Sequence, residues 1–260
     1  MHKPDDVNIT YIPHDFKVSL TLFNLSIHRF LQCFIDHVSF YDALFPTEVD
    51  AYELATRALA KYSFEKENAE KIDETSENKN DLFVVESVEA LAAAVKAVQA
   101  MGQISARKDL NNKQKRKAAK KKIQKISNTL NSNIVKATTL YLNEEQTLKL
   151  SPDFCLLCEL HHISPIEHLT NVMEQISEAD IEARSGLNKG VENPAVGFYL
   201  RVRDGYGDIY NNEEPVNPIM FDYLDDLQKM RLSLFIYRSL DDRIEKYRTF
   251  IDKYYNLLTT

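Results

Sequence analysis

The sequence reads as an all-α protein, and three observations point there. Only 6 Gly and 8 Pro occur in 260 residues, too few for a turn-rich β fold. Apolar residues recur at steps of three and four along most of the chain. Serines that can cap helices stand just before those periodic runs. With 44% apolar and 27% charged residues the composition is that of a globular protein with a real core.

The first clear helix follows Ser26, where Ile27, Phe30, Leu31, Phe34, Ile35 and Val38 share a face. Glu48 to Lys61 repeats the pattern with Ala51, Leu54, Ala55, Ala58 and Leu59. Residues 65–81 are polar and read as a linker or mobile loop. A helix over Val84 to Met101 comes next, and Ile123, Ile126, Leu130, Ile134 and Tyr141 continue an amphipathic pattern. Ser151-Pro152-Asp153 starts another helix, with a cap, a proline at the first position and an acid in the first turn. Ser164 with Glu167 forms a capping box for the next. The stretch 185–218 holds five of the six glycines. Its alternation from Phe198 reads as a small β-hairpin near 198–210. From Met220 to Leu258 the chain is again helical. Two apolar seams fall out of phase between Tyr237 and Leu240, so either Ser239 caps a fresh helix, making a helical hairpin, or one long helix is locally overwound.

Asp15–Asp42 and Asp153–Asp180 align without a gap at an offset of 138. Seven of the 28 positions are identical: Asp15, Phe16, Leu22, Ser26, Leu31, Ser39 and Asp42 match Asp153, Phe154, Leu160, Ser164, Leu169, Ser177 and Asp180. The caps and apolar stripes coincide. The chain therefore reads as two related helical repeats, 1–142 and 151–260. The second copy's helix start at Ser151 implies that Phe16 to Phe23 is helical too, although it alternates like a strand.

Charge is unevenly distributed. The whole chain carries −7, yet the segment 107–125 carries ten basic residues and one acid, Asp109. That segment is +9 and the remainder −16. Its cations are Arg107, Lys108, Lys113, Lys115, Arg116, Lys117, Lys120, Lys121, Lys122 and Lys125. Closely spaced lysines suit non-specific phosphate contact, and no aromatic residue interleaves them to stack bases. The same pattern also describes a solvated helix face held against an acidic body.

Other chemistry is thinner. Cys155, Cys158, His161 and His162 suggest zinc at first sight, but they fall on a helix and no second Cys pair exists. The two cysteines read as buried thiols filling a helix face, with no metal and no cofactor. The helix pair Phe154 to Ile176 has helix-turn-helix spacing, but Glu167, Glu174 and Glu178 would repel phosphates. No Gly-rich phosphate loop, G-x-S-x-G or H-E-x-x-H occurs, which leans away from an enzyme. Arg201, Arg203, Asp204 and Asp208 cluster in the Gly-rich stretch and form a weaker candidate ligand site.

The opening residues show no basic-then-apolar leader pattern. The longest apolar stretch, Val88 to Val98, is shorter than the ~20 residues a membrane span needs. The three cysteines cannot form a disulfide framework. A cytoplasmic protein without a membrane partner is the expectation. Its leading function is a non-catalytic helical interaction or regulatory protein, acting on a partner protein or through self-association. The first alternative is a nucleic-acid accessory protein using 107–125, and the second is a small-ligand binder using 185–218.

Overall fold

The computed structural model of the chain describes residues 11–46, 49–72, 88–130, 139–142, 146–187, 189–190, 192–207, 209 and 218–260. The described residues are mainly helical. In order they form α1 (His14–Leu22), α2 (Ile27–His37), α3 (Phe40–Leu44), α4 (Ala51–Ile72), α5 (Val88–Ala106) and α6 (Asn112–Leu130). Strands β1 (Thr139–Tyr141) and β2 (Thr147–Lys149) follow. Then come α7 (Pro152–Leu160), α8 (Pro165–Glu174), α9 (Glu178–Ser185), α10 (Pro194–Arg203), α11 (Ile219–Ser233) and α12 (Leu240–Thr259). The strands pair antiparallel with Leu140 opposite Leu148. No described helix is long and apolar enough to cross a membrane.

Both helix pairs turn by the same device. Leu25 N donates to Leu20 O, and Ile163 N to Cys158 O, each at 2.9 Å. Asn24 N donates to Thr21 O, and His162 N to Glu159 O, each at 3.0 Å. These two bonds define a Schellman motif, whose pivot residue needs a left-handed backbone. Asn24 and His162 both supply it at φ 53°. Ser26 then caps α2 by accepting from Arg29 N, and Ser164 caps α8 by accepting from Glu167 N. The reciprocal bond from Ser164 N to Glu167 Oε2 completes the expected capping box. Ser39 and Ser177 likewise cap α3 and α9 by accepting from Asp42 N and Asp180 N.

The chain divides into two compact units, one of described residues 34–168 and one of 11–33 with 169–260. In the first unit, the Asp153 carboxylate of α7 accepts from Phe40 N at the start of α3. In the second, the Asp15 carboxylate of α1 accepts from Ser177 Oγ at the start of α9. Asp15 and Asp153 are matched positions at the 138 offset, and so are Ser39 and Ser177.

The second unit has a core of Val18, Leu22, Ala179, Tyr223, Leu227, Leu234, Tyr247 and Ile251. Inside it lies Arg243, only 1% exposed. Its guanidinium donates to Ala183 O, Leu234 O and Tyr237 O, carbonyls near the end of α9 and along the 3-10 turn Leu234–Ile236. That turn separates α11 from α12. The break falls where the two seams lose phase, and Ser239 caps α12 by accepting from Asp242 N.

Three segments differ from the sequence reading. The expected hairpin near 198–210 is absent from 198–203, which belong to α10; the strands form at 139–149 instead. Phe198, Tyr199 and Val202 are all buried, a helical spacing, and Asn193 caps them by accepting from Ala195 N. Tyr141, expected to extend a helix, lies in β1, and Ile134 lies outside the described residues. The polar segment 65–81 is helical as far as Ile72, and 73–81 lie outside the described residues. Pairing explains the extension: Lys61 meets Glu65 one turn on, and Lys66 meets Glu167 at 2.6 Å.

Candidate functional site

Most of the basic segment forms a helix. Asn111 and Gln114 start α6 with a reciprocal cap, each side chain accepting from the other's backbone N–H at 2.9 Å. Ala119, Ile123 and Ile126 are at most 3% exposed and fix which side of α6 faces the core. The lysines are thereby turned outward.

Arg107, Lys115 and Arg116 are held in place. Arg107 pairs with Asp109 in the turn before α6. Lys115 donates to Ser105 O in the last turn of α5, where a cation complements the helix dipole. Arg116 points inward. Its Nε and Nη2 both reach the Asp42 carboxylate at 2.7 Å, Asp50 lies 2.9 Å away, and the guanidinium sits 4.2 Å from the Tyr52 ring centre. Burial alone would lower the Arg116 pKa, but the Asp42 and Asp50 carboxylates outweigh it and hold the group charged. Arg116 is thus a structural pin that clamps α6 to α3 and α4.

Lys108, in the turn before α6, and Lys113, Lys117, Lys120, Lys121, Lys122 and Lys125 on the helix are all exposed. Lys113, Lys117 and Lys120 stand one helical turn apart along the wall of a cavity of about 540 Å³. Asp36, Ser39, Tyr41, Tyr52, Ser151 and Asp153 line its other sides. Asp153 is pushed up to about 6 by burial, opposed by its hydrogen bond from Phe40 N and by the charge of Lys120. Lys121, Lys122 and Lys125 carry the positive face round to the open side of α6. A helical rise of about 1.5 Å per residue makes the face roughly 18 Å long from Lys113 to Lys125.

The other candidates do not converge. Arg203 donates to Glu178 Oε1 at 2.8 Å and neutralises a carboxylate that is 1% exposed. Tyr199 OH reaches the other oxygen of Glu178 at 3.0 Å. Burial nevertheless pushes Glu178 up to about 7. Arg201 and Asp204 are exposed, and Asp208 lies outside the described residues. Cys155 and Cys158 are buried on α7, and burial drives both thiols up, Cys155 to about 11. His162 is exposed at the turn. Among the described residues no three His, Cys, Asp or Glu side chains gather as a metal site would require.

Sequence reasoning located the lysines but not the residues that organise them. Asp42 and Asp50 carry no local signature of an Arg116 partner, being 74 and 66 positions away. The Asn111/Gln114 cap was legible in principle as an Asn-x-x-Gln start. Comparison of the chain with protein-family models, with curated proteins and with solved structures finds no match.

Proposed function

We propose that this is a non-catalytic helical interaction protein whose α6 contacts nucleic acid through the phosphate backbone. The observation that carries this reading is the division of labour on α6. Arg116 and Lys115 anchor the helix, while six lysines stay exposed on the remaining face. Lysine ammonium groups in that arrangement displace condensed counterions without reading base sequence. The acidic remainder of the chain favours a local footprint over general adhesion.

The test is fluorescence anisotropy with labelled single-stranded and duplex oligonucleotides across a salt series. The wild type is compared with a variant carrying Gln at Lys113, Lys117, Lys120, Lys121, Lys122 and Lys125. Arg116 and Lys115 are left intact because they hold the fold. Each lost phosphate contact should reduce the salt slope by about 0.9 on duplex, so the variant should lose most of the slope and the binding. Wild-type binding absent at about 50 mM salt, or unchanged in the variant, would sink the proposal.

We further infer that the helix pairs α1–α2 and α7–α8 derive from one duplicated unit. Support comes from their common Schellman turns, matched serine caps and matched aspartates. Phe16 packs on Phe30 with ring centres 5.6 Å apart, and at the matched positions Phe154 meets His168 at 5.8 Å.

A further inference from the structure

Helix α11 is apolar on two sides. Tyr223, Leu227 and Leu234 face the core of the second unit and are at most 3% exposed. The opposite side carries Phe221 at 67%, Leu224 at 51% and Leu232 at 76% exposed, continued by Phe235 at 68% and Ile236 at 77% in the 3-10 turn. Isolated exposed apolar residues are ordinary, but five along one side of α11 and the turn that follows it, interrupted there by Gln228, are not.

The order of the stripe identifies its occupant. Phe221, Leu224, Leu232 and Phe235 are symmetric about Gln228, at −7, −4, +4 and +7. An antiparallel pair of α11 helices crossing at Gln228 would set Phe221 of each copy against Phe235 of the other. It would likewise set Leu224 against Leu232, and Asp225 against Arg231. Arg231 is presented for this: Glu182 holds its guanidinium at 2.6 and 2.7 Å while the side chain stays 53% exposed. A two-fold interface must be self-complementary in this manner, because one patch meets itself. The area also suffices. Five such side chains offer roughly 600 Å² per copy, so a pair would bury about 1,200 Å², the lower bound for a stable interface.

We propose that α11 forms the seam of an antiparallel homodimer with its two-fold axis at Gln228. The seam uses no residue of α6, so it stands or falls independently of phosphate binding. Sedimentation equilibrium of the full chain from about 1 to 100 μM, a range that spans micromolar dimer affinity, gives the mass directly. The expected value at the upper end is twice the 30.0 kDa of one chain.

Leu232→Asp should weaken the dimer at least 100-fold, and its helical circular dichroism should match the wild type because Leu232 is exposed. Gln228→Cys places two thiols at the two-fold axis and should give a disulfide-linked dimer on mild oxidation, whereas Gln99→Cys on α5 should not. A chain that stays monomeric throughout the range overturns the proposal. So does a dimer that survives Leu232→Asp or fails to cross-link through Gln228→Cys, since its interface would then lie elsewhere.

Discussion

Asn24 and His162, 138 positions apart, hold the same left-handed backbone at φ 53° and close the two helix pairs with the same two hydrogen bonds. A side chain at such a pivot costs about 1 kcal/mol relative to glycine. Replacing His162 with Gly should therefore raise stability by about 0.5–1 kcal/mol in a chemical denaturation series. His162→Val, whose branched Cβ tolerates the conformation poorly, should lower it by about 1–2 kcal/mol. Equal stability of the two variants would show that the turn is not under backbone strain.

His168 is fully buried, and neither ring nitrogen has a hydrogen-bond partner among the described residues. The rings of Phe34, Phe154 and Tyr62 surround it at 5.6, 5.8 and 6.3 Å. The residue 138 positions earlier is Phe30. Two unpaired polar atoms cost about 1–3 kcal/mol, so His168→Phe should stabilise the protein and raise its melting temperature. Burial also lowers the histidine's pKa to about 3 from 6.5. Below pH 6.5 the unfolded chain takes up a proton that the folded chain refuses. Stability is therefore lost as pH falls toward 3, by at most about 1.4 kcal/mol per pH unit from this group. His168→Phe should remove that component from the denaturation midpoint measured against pH.

Glu178 acts with the opposite sign. Burial raises it to about 7 from 4.5, so the unfolded chain ionises first as pH rises. Its contribution is fully present below pH 4.5 and is lost between pH 4.5 and 7. Glu178→Gln should flatten the stability profile in that window while leaving the window below pH 4.5 unchanged. A profile identical to wild type between pH 5 and 7 would show that Arg203 keeps Glu178 ionised throughout.

Gly186 has an ordinary helical backbone, φ −68°, so its glycine is not there for conformational freedom. A Cβ at this position would overlap the Arg243 guanidinium. Gly186→Ala should displace that guanidinium and leave buried carbonyls without a donor, at about 2–4 kcal/mol. The cost should shrink sharply in an Arg243→Met background, because the clash is then gone. Additive effects in the double-mutant cycle would place the cost of Gly186→Ala elsewhere.

Asp42 is wholly buried beneath Arg116. Arg116→Met should strand that charge and cost about 3–5 kcal/mol, whereas the double change with Asp42→Asn should recover much of it. Arg116→Lys should not restore stability fully, since an ammonium cannot make the two-pronged contact. Thermal melts of the four proteins check this, and a harmless Arg116→Met would show that the pin contributes little.

The helices, most of their caps and the break at Ser239 were legible in the sequence because each depends on residues within one or two turns. Ser151, Ser164 and Ser239 accept from the backbone three residues on, and that spacing is fixed by helix geometry. The helix α10 was misread because Phe198 to Val202 satisfies both a two-residue and a helical period over so short a run. The deciding signal was the Asn193-Pro194 start upstream. The extension of α4 was missed because its tail is polar, and it is held by pairs such as Lys66 with Glu167, 101 positions apart.

By itself, then, the sequence determined the all-α class, the boundaries that local capping sets and the presence of a cationic segment. Only the tertiary structure decided what those cations do. Arg116 and Lys117 are neighbours of like charge, yet one is buried on Asp42 and the other lies open beside a cavity. The reason is that a helix rotates successive side chains by about 100°, and which direction faces inward depends on the partner surface. For Arg116 that surface is Asp42 of α3 with Asp50 and Tyr52 at the start of α4, far away along the chain.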